Sequence, residues 1–135
     1  MDQRLRQFYN ESRVKNASPG QLLVLLYDDL VQSAEIAENQ IAAAADSSER
    51  AQAPLAVGRC IRAVTELSAA LRPEHDPMLC ANLSSLYRFF AHEFSEALAK
   101  NDPRKIGAIL PLLRKLRATW AQVQKMSVNP QVAIV

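Results

Sequence analysis

Three times along this chain a residue able to cap a helix is followed at once by proline and then by regularly spaced apolar residues. The pairs are Ser18-Pro19, Asp76-Pro77 and Asp102-Pro103. A Ser or Asp side chain accepts from the unpaired N–H groups of a first helical turn, and proline fits the first helical position because its missing N–H has no partner there. The punctuation therefore marks where helices begin, and the apolar spacing shows how far they run. A first helix is predicted from about Pro19 to Ala45 and a second from near Pro54 to near Leu71. A third follows Asp76 and a fourth follows Asp102. "DSSERAQAP" and "RPEHDP" read as breaks between them.

Each predicted helix carries an apolar stripe. Val57, Cys60, Ile61, Val64, Leu67 and Leu71 recur at spacings of three and four. Leu79, Leu83, Leu86, Phe90, Phe94 and Leu98 do the same, with Tyr87 beside them. The last helix carries Ile106, Ile109, Leu110, Leu113, Leu116, Trp120 and Val123. Pro111 lies inside that helix, removes one backbone donor and crowds the Gly107 carbonyl, which predicts a kink. Four long amphipathic helices joined by short turns predict an all-α, antiparallel four-helix bundle. The expected organisation is one domain: an N-terminal arm over residues 1–17, a bundle over 18–126 and a short apolar tail over 127–135. Pro130 argues against further helix in the tail, which either docks on the bundle or hangs free.

The first helix holds more apolar surface than one seam requires. Leu22 to Tyr27 are apolar without a break. Leu23, Leu26, Leu30, Ala34, Ala37 and Ile41 share one direction, which sets the inward side. Tyr27, Val31 and Val24 widen the arc to about 200°, while Leu25 and Ile36 fall well outside it, near about 300° and 320° from Leu22. The surplus has two compatible explanations. The arm, through Phe8, Tyr9 and Val14, folds over part of it, or a partner segment uses it.

Composition narrows the function. The formal net charge is +2 with acids and bases interleaved, too mild for a nucleic-acid surface. Arg114, Lys115 and Arg117 read as a solvated helix face. Residues 1–14 lack the apolar centre of a secretory signal, and no run approaches the ~18 apolar residues of a membrane span, so a cytoplasmic protein is expected. Cys60 and Cys80 sit on apolar helical faces and read as reduced core residues. No HExxH, glycine-rich phosphate loop or GxSxG elbow is present, and neither His75 nor His92 has the Glu-x-x-His spacing of a metal-holding bundle. Asp28 and Asp29 diverge by about 100° on a helix and so cannot easily share an ion; a solvated face or a helix-loop contact is expected of them. Catalysis, cofactors and metals are not expected.

The stretch "YNESRVKNASPGQLLVLLYDDL" resembles the N-terminal pattern of the FliS family, at Tyr9, Val14, Ala17, Ser18, Pro19, Leu22, Leu26, Tyr27 and Asp28. "NLSSLYRFF" is similar to the family's Asn-Leu then Leu-Tyr stretch, at Asn82, Leu83, Leu86 and Tyr87; Asp102 and "LLRKLRATW" complete the series. Two positions depart from it: Asp29, where the family commonly has Gly, and Leu98, where it often has Asn. The resemblance implies a cytoplasmic chaperone that binds the disordered C-terminal segment of flagellin and prevents its premature polymerisation. It also implies help in delivering the subunit to the flagellar type III export apparatus, with components of that apparatus as further partners and with neither nucleotide nor metal. Together with the surplus apolar surface, it marks Tyr9, Val14, Leu22, Leu25, Tyr27 and Tyr87 as candidate partner-binding residues. Two other classes compete with this reading: a client-free adaptor that dimerises through Leu25 and Ile36, and a metal-dependent bundle enzyme.

Overall fold

A computed structural model describes residues 18–126. Its elements are α1 (Pro19–Ala42), α2 (Ser48–Ala51), α3 (Ala53–Ala69), α4 (Pro77–Ala99) and α5 (Arg104–Met126). The four long helices are the expected bundle, and α2 is a single turn. The arm and the tail, and with them Tyr9 and Val14, lie outside the described residues.

The caps explain most helix starts. The Ser18 hydroxyl accepts from the Gln21 N–H at 3.2 Å, and the Gln21 side chain accepts from the Ser18 N–H at 2.8 Å. This reciprocal pair satisfies two otherwise unpaired donors. Asp76 accepts from the Leu79 N–H at 3.1 Å and opens α4. At α5 the Asp102 carboxylate accepts from both the backbone N–H and the side chain of Arg104, at 3.1 and 3.0 Å. The Arg104 hydrogen bond holds the Asp102 carboxyl below its ordinary range.

Two expectations need correction. Helix α1 stops at Ala42, before Ala45, because Ala43 takes an extended backbone conformation. The stretch read as a plain loop contains α2, which forms because the Ser47 hydroxyl accepts from the Arg50 N–H at 3.0 Å. At Pro111, α5 runs on unbroken with the proline on the exposed side.

The end of α4 is made by Asn101, whose φ of 53° lies in the left-handed region. Its N–H donates to the Leu98 carbonyl, and the Asp102 N–H donates back to Ala97 at 2.9 Å. This pair of reversed bonds closes the helix and usually employs glycine. Asn101→Gly is expected to raise stability by about 0.5 kcal/mol and Asn101→Val to lower it by about 1 kcal/mol. Urea midpoints with unchanged m-values are the check.

The register shows the antiparallel order. Going up α1, contacts run down α5: Gln124 donates to Ser18, Arg117 pairs with Asp28, Arg114 with Glu35, and Glu38 lies beside Gly107. Toward α3, Asp29 meets Arg59, while Arg50 at the end of α2 donates to Ile41. Helix α1 packs between α3 and α5, and α4 completes the ring against both. Leu30, Ala34, Val57, Leu67, Phe90 and Leu113 are among the side chains that fill the centre. Buried Ala34, Ala37, Ala63 and Ala97 leave room for this packing.

A polar contact between Tyr27 and Tyr87 crosses the core. The hydroxyls of Tyr27 on α1 and Tyr87 on α4 meet at 2.6 Å, linking the diagonal helices. Burial pushes both phenols up from their ordinary value. The Trp120 indole approaches the Tyr27 hydroxyl, but its N–H makes no hydrogen bond of full geometry.

Candidate binding groove between α1 and α3

The described residues hold no group of three or more His, Cys, Asp or Glu side chains that could bind a metal. None of their helices is long and apolar enough to cross a membrane. Among the described residues, one arrangement with chemical character is a groove between α1 and α3, and it is built by helical spacing. On α1, Asp29, Ser33, Ile36 and Gln40 follow one another at three- and four-residue steps and so form one ridge, with Gln32 beside it, three residues from Asp29 and four from Ile36. On α3 the facing ridge is Gln52, Leu55, Ala56 and Arg59. Together they line an open concavity of about 440 Å³.

The antiparallel register sorts the groove along its length. At one end the Arg59 guanidinium grips Asp29 from the side. Its Nη2 donates to Oδ1 at 2.7 Å, and its Nε donates to Oδ1 at 3.1 Å and Oδ2 at 3.4 Å. Asp29 is 5 % exposed, whereas half of the Arg59 side-chain surface is open. The centre is apolar: Ile36 is 44 % exposed and Leu55 79 %, on opposite rims, with the small Ser33 and Ala56 also lining it. The far end carries the Gln40 and Gln52 side chains, and Gln40 Oε1 is buried with no hydrogen-bond partner.

Asp28 and Asp29 do diverge as helical geometry requires. Asp28 turns to α5 and pairs with Arg117 at 3.3 Å, while Asp29 turns to α3. The expectation of a solvated or loop-facing pair is corrected for Asp29, which is a buried inter-helix anchor. Next to this pair, Cys60 is buried and free; burial first, and then the Asp29 charge, push its thiol up, so it stays protonated and unreactive. Arg114 and Arg117 are exposed, as the solvated-face reading requires, and clasp α1 through Glu35 and Asp28.

The candidate partner-binding residues separate into three groups. Leu22, Tyr27 and Tyr87 are buried, so they do not offer their side chains to a partner in this conformation. The physical reason is that α1 has neighbours on two flanks, and both flanks use apolar surface. Leu25 is half-buried and packs against the core, and Ile36 alone of the two outlying residues stays exposed. Tyr9 and Val14 lie outside the described residues. Periodicity does not mark Leu55 or Arg59, because both fall off the α3 stripe. A leucine beside Pro54 on the polar side was the one available signal.

Comparison with known proteins gives this bundle its relatives. A family model described as the flagellar protein FliS matches residues 1–127. The flagellar secretion chaperone FliS of Vibrio cholerae serotype O1 is 25% identical over 67 residues, which is 50% of this chain and 49% of that protein. The shared stretch thus spans about half the length of that relative. The flagellar secretion chaperone FliS of Salmonella typhimurium is 28% identical over 114 residues, 84% of this chain and 82% of that protein. With a family match over nearly all of its length and an all-helical bundle to carry it, this chain belongs to the FliS family.

Proposed function

We propose that this protein is a non-enzymatic flagellar export chaperone. In this reading it works in the cytoplasm, holds the disordered C-terminal segment of flagellin, keeps the subunit from polymerising early and hands it to the type III export apparatus. The observation that carries the proposal is the family match over residues 1–127, joined to relatives described as flagellar secretion chaperones. The physics supports it. A small bundle that leaves Ile36 and Leu55 open at a groove has apolar surface to offer a chain that is itself disordered. Such a client covers a large surface and orders only on binding, which keeps release possible.

Titration calorimetry of the full chain with a flagellin C-terminal peptide tests this directly. Binding at about 10 μM or tighter, with a clearly negative heat-capacity change, is the expected result. No heat at concentrations well above that would remove the chaperone reading. The adaptor alternative draws support only from the exposure of Ile36, since Leu25 spends much of its surface on its own core. Sedimentation separates the two readings: a tight dimer without peptide affinity would favour the adaptor.

A further inference from the structure

We propose that the chain's own C-terminal tail, residues 130–135, lies back as an extended strap along the seam between α4 and α5. The proposal stands apart from the chaperone reading and concerns the side of the bundle opposite the α1–α3 groove.

Packing order fixes which side chains meet at this seam. On α1 the residue before a core position faces α3, as Asp29 and Ile36 do, and the residue after it faces α5, as Glu35 and Glu38 do. Helix α4 runs parallel to α1 across the diagonal. A half-turn about the bundle axis carries one onto the other and exchanges their neighbours. On α4, therefore, the residue before a core position faces α5, and Leu79, Leu86 and Phe89 precede the buried Cys80, Tyr87 and Phe90. On α5, Gly107 and Arg114 give one flank to α1, which leaves Leu112, Leu116 and Val123 on the flank toward α4. The short turn between α4 and α5 sets the heights: Phe89 comes level with the stretch from Leu112 to Leu116, and Leu79 with Val123. Leu86 and Leu116 form the floor by packing on the core. Leu79, Phe89 and Leu112 stay exposed above it, and Met78 and Met126 are exposed at the end where α5 finishes. Of the seven large exposed apolar side chains among the described residues, five thus gather along this seam or at its mouth, and a patch of that kind calls for a cover.

The tail fits the seam in direction, pattern and length. Helix α5 finishes at Met126, beside the start of α4, so the chain sets out from the mouth of the seam. Asn129-Pro130 suits the first two positions of a type I turn, which sends the chain back along the bundle. From Gln131 to Val135 the β-branched Val132 and Ile134 alternate with Gln131 and Ala133, so an extended segment places both on one face. That segment covers about 13 Å. The rise from Gln124 back to Leu116 on α5 is about 12 Å. Val132 then reaches Leu79 and Val123, and Ile134 reaches the Leu86–Leu116 floor with the Phe89 ring at its edge. Tethering at the mouth gives the tail an effective concentration on the order of millimolar, an advantage that a free partner or a second copy lacks. The family match stops at residue 127, so the strap lies beyond the pattern shared with the family.

Disulfide trapping in the full chain tests the proposal. Cys60 and Cys80 are buried and do not compete. Ile134→Cys is combined either with Phe89→Cys on the seam or with Ala118→Cys, exposed on the outer face of α5 and nearer the start of the tail. A tail that ignores the seam would meet Ala118→Cys at least as often. Within the monomer, the seam pair is expected to close about tenfold faster or more. A second readout is alkylation of a lone Phe89→Cys thiol. It is expected to speed up about threefold or more when the chain is stopped after Ser127, and equally in Val132→Asp/Ile134→Asp, with far-UV circular dichroism verifying the fold. Equal trapping at the two positions, trapping at neither, or labelling that ignores the loss of the tail overturns the proposal. So does a Phe89→Cys thiol that is shielded only as protein concentration rises, which would make a second copy the occupant of the seam.

Discussion

Raising the pH to about 11 is expected to remove about 4 kcal/mol of folding stability, through the Cys60 thiol and the Tyr87 phenol alone. The ordinary values are 9.0 for the thiol and 10.0 for the phenol, and burial raises both groups well above them. A group whose folded value lies above its unfolded value stabilises the fold fully below the unfolded value. That contribution is lost as the pH rises, at about 1.4 kcal/mol per pH unit per group, because the unfolded chain can ionise and the folded one cannot. The window therefore opens near pH 9 for Cys60 and near pH 10 for Tyr87, and Tyr27 adds in the same direction. Against a total of about 5–15 kcal/mol for a domain of this kind, the loss is large. Urea midpoints measured from neutral to strongly alkaline pH provide the check. In Tyr27→Phe/Tyr87→Phe, where both hydroxyls are removed together and neither is left unpaired, the decline above pH 10 should become shallower, leaving the share that belongs to Cys60. An identical decline in that variant would place the alkaline sensitivity elsewhere.

Phe90→Ala is expected to cost about 3–5 kcal/mol, while Phe89→Ala, one residue earlier, should cost less than about 1 kcal/mol. The two rings lie 6.0 Å apart, and their surroundings could hardly differ more. Phe90 is 0% exposed and Phe89 48%. Truncating Phe90 removes buried contacts and leaves a cavity that neighbouring helices cannot fully close. Truncating Phe89 takes away a ring that water already reaches. Chemical denaturation of both variants gives the comparison, and similar losses at the two sites would mean that Phe89 is buried in solution by something other than the bundle core.

How much of this was legible in the chain follows a physical division. Ser18, Asp76 and Asp102 announce helix starts because a cap acts on donors within the next few residues. The alanine run around Ala43 carries no such signal, and the end of α1 is the boundary that differs most. The inward stripe of α1 was readable for the same local reason: Leu23, Leu26, Leu30, Ala34, Ala37 and Ile41 repeat at helical spacing and are all buried. The flanks were not readable. Tyr27 and Leu22 look like surplus on a helical wheel, yet both are buried, Tyr27 against Tyr87, 60 residues away.

The sequence by itself determined the helix class, the four long segments, their inward faces and, through its motif series, the family. All of these rest on interactions over three or four residues or on residue identity in order. Only the tertiary structure decided that Asp29 is an anchor for Arg59, 30 residues away, and not a solvated acid. It likewise decided that Ile36 and Leu55 share a groove while Leu25 turns to the core. A helix carries no record of which neighbour will lie along each flank. That is set when the helices pack, and the groove exists only once two of them do.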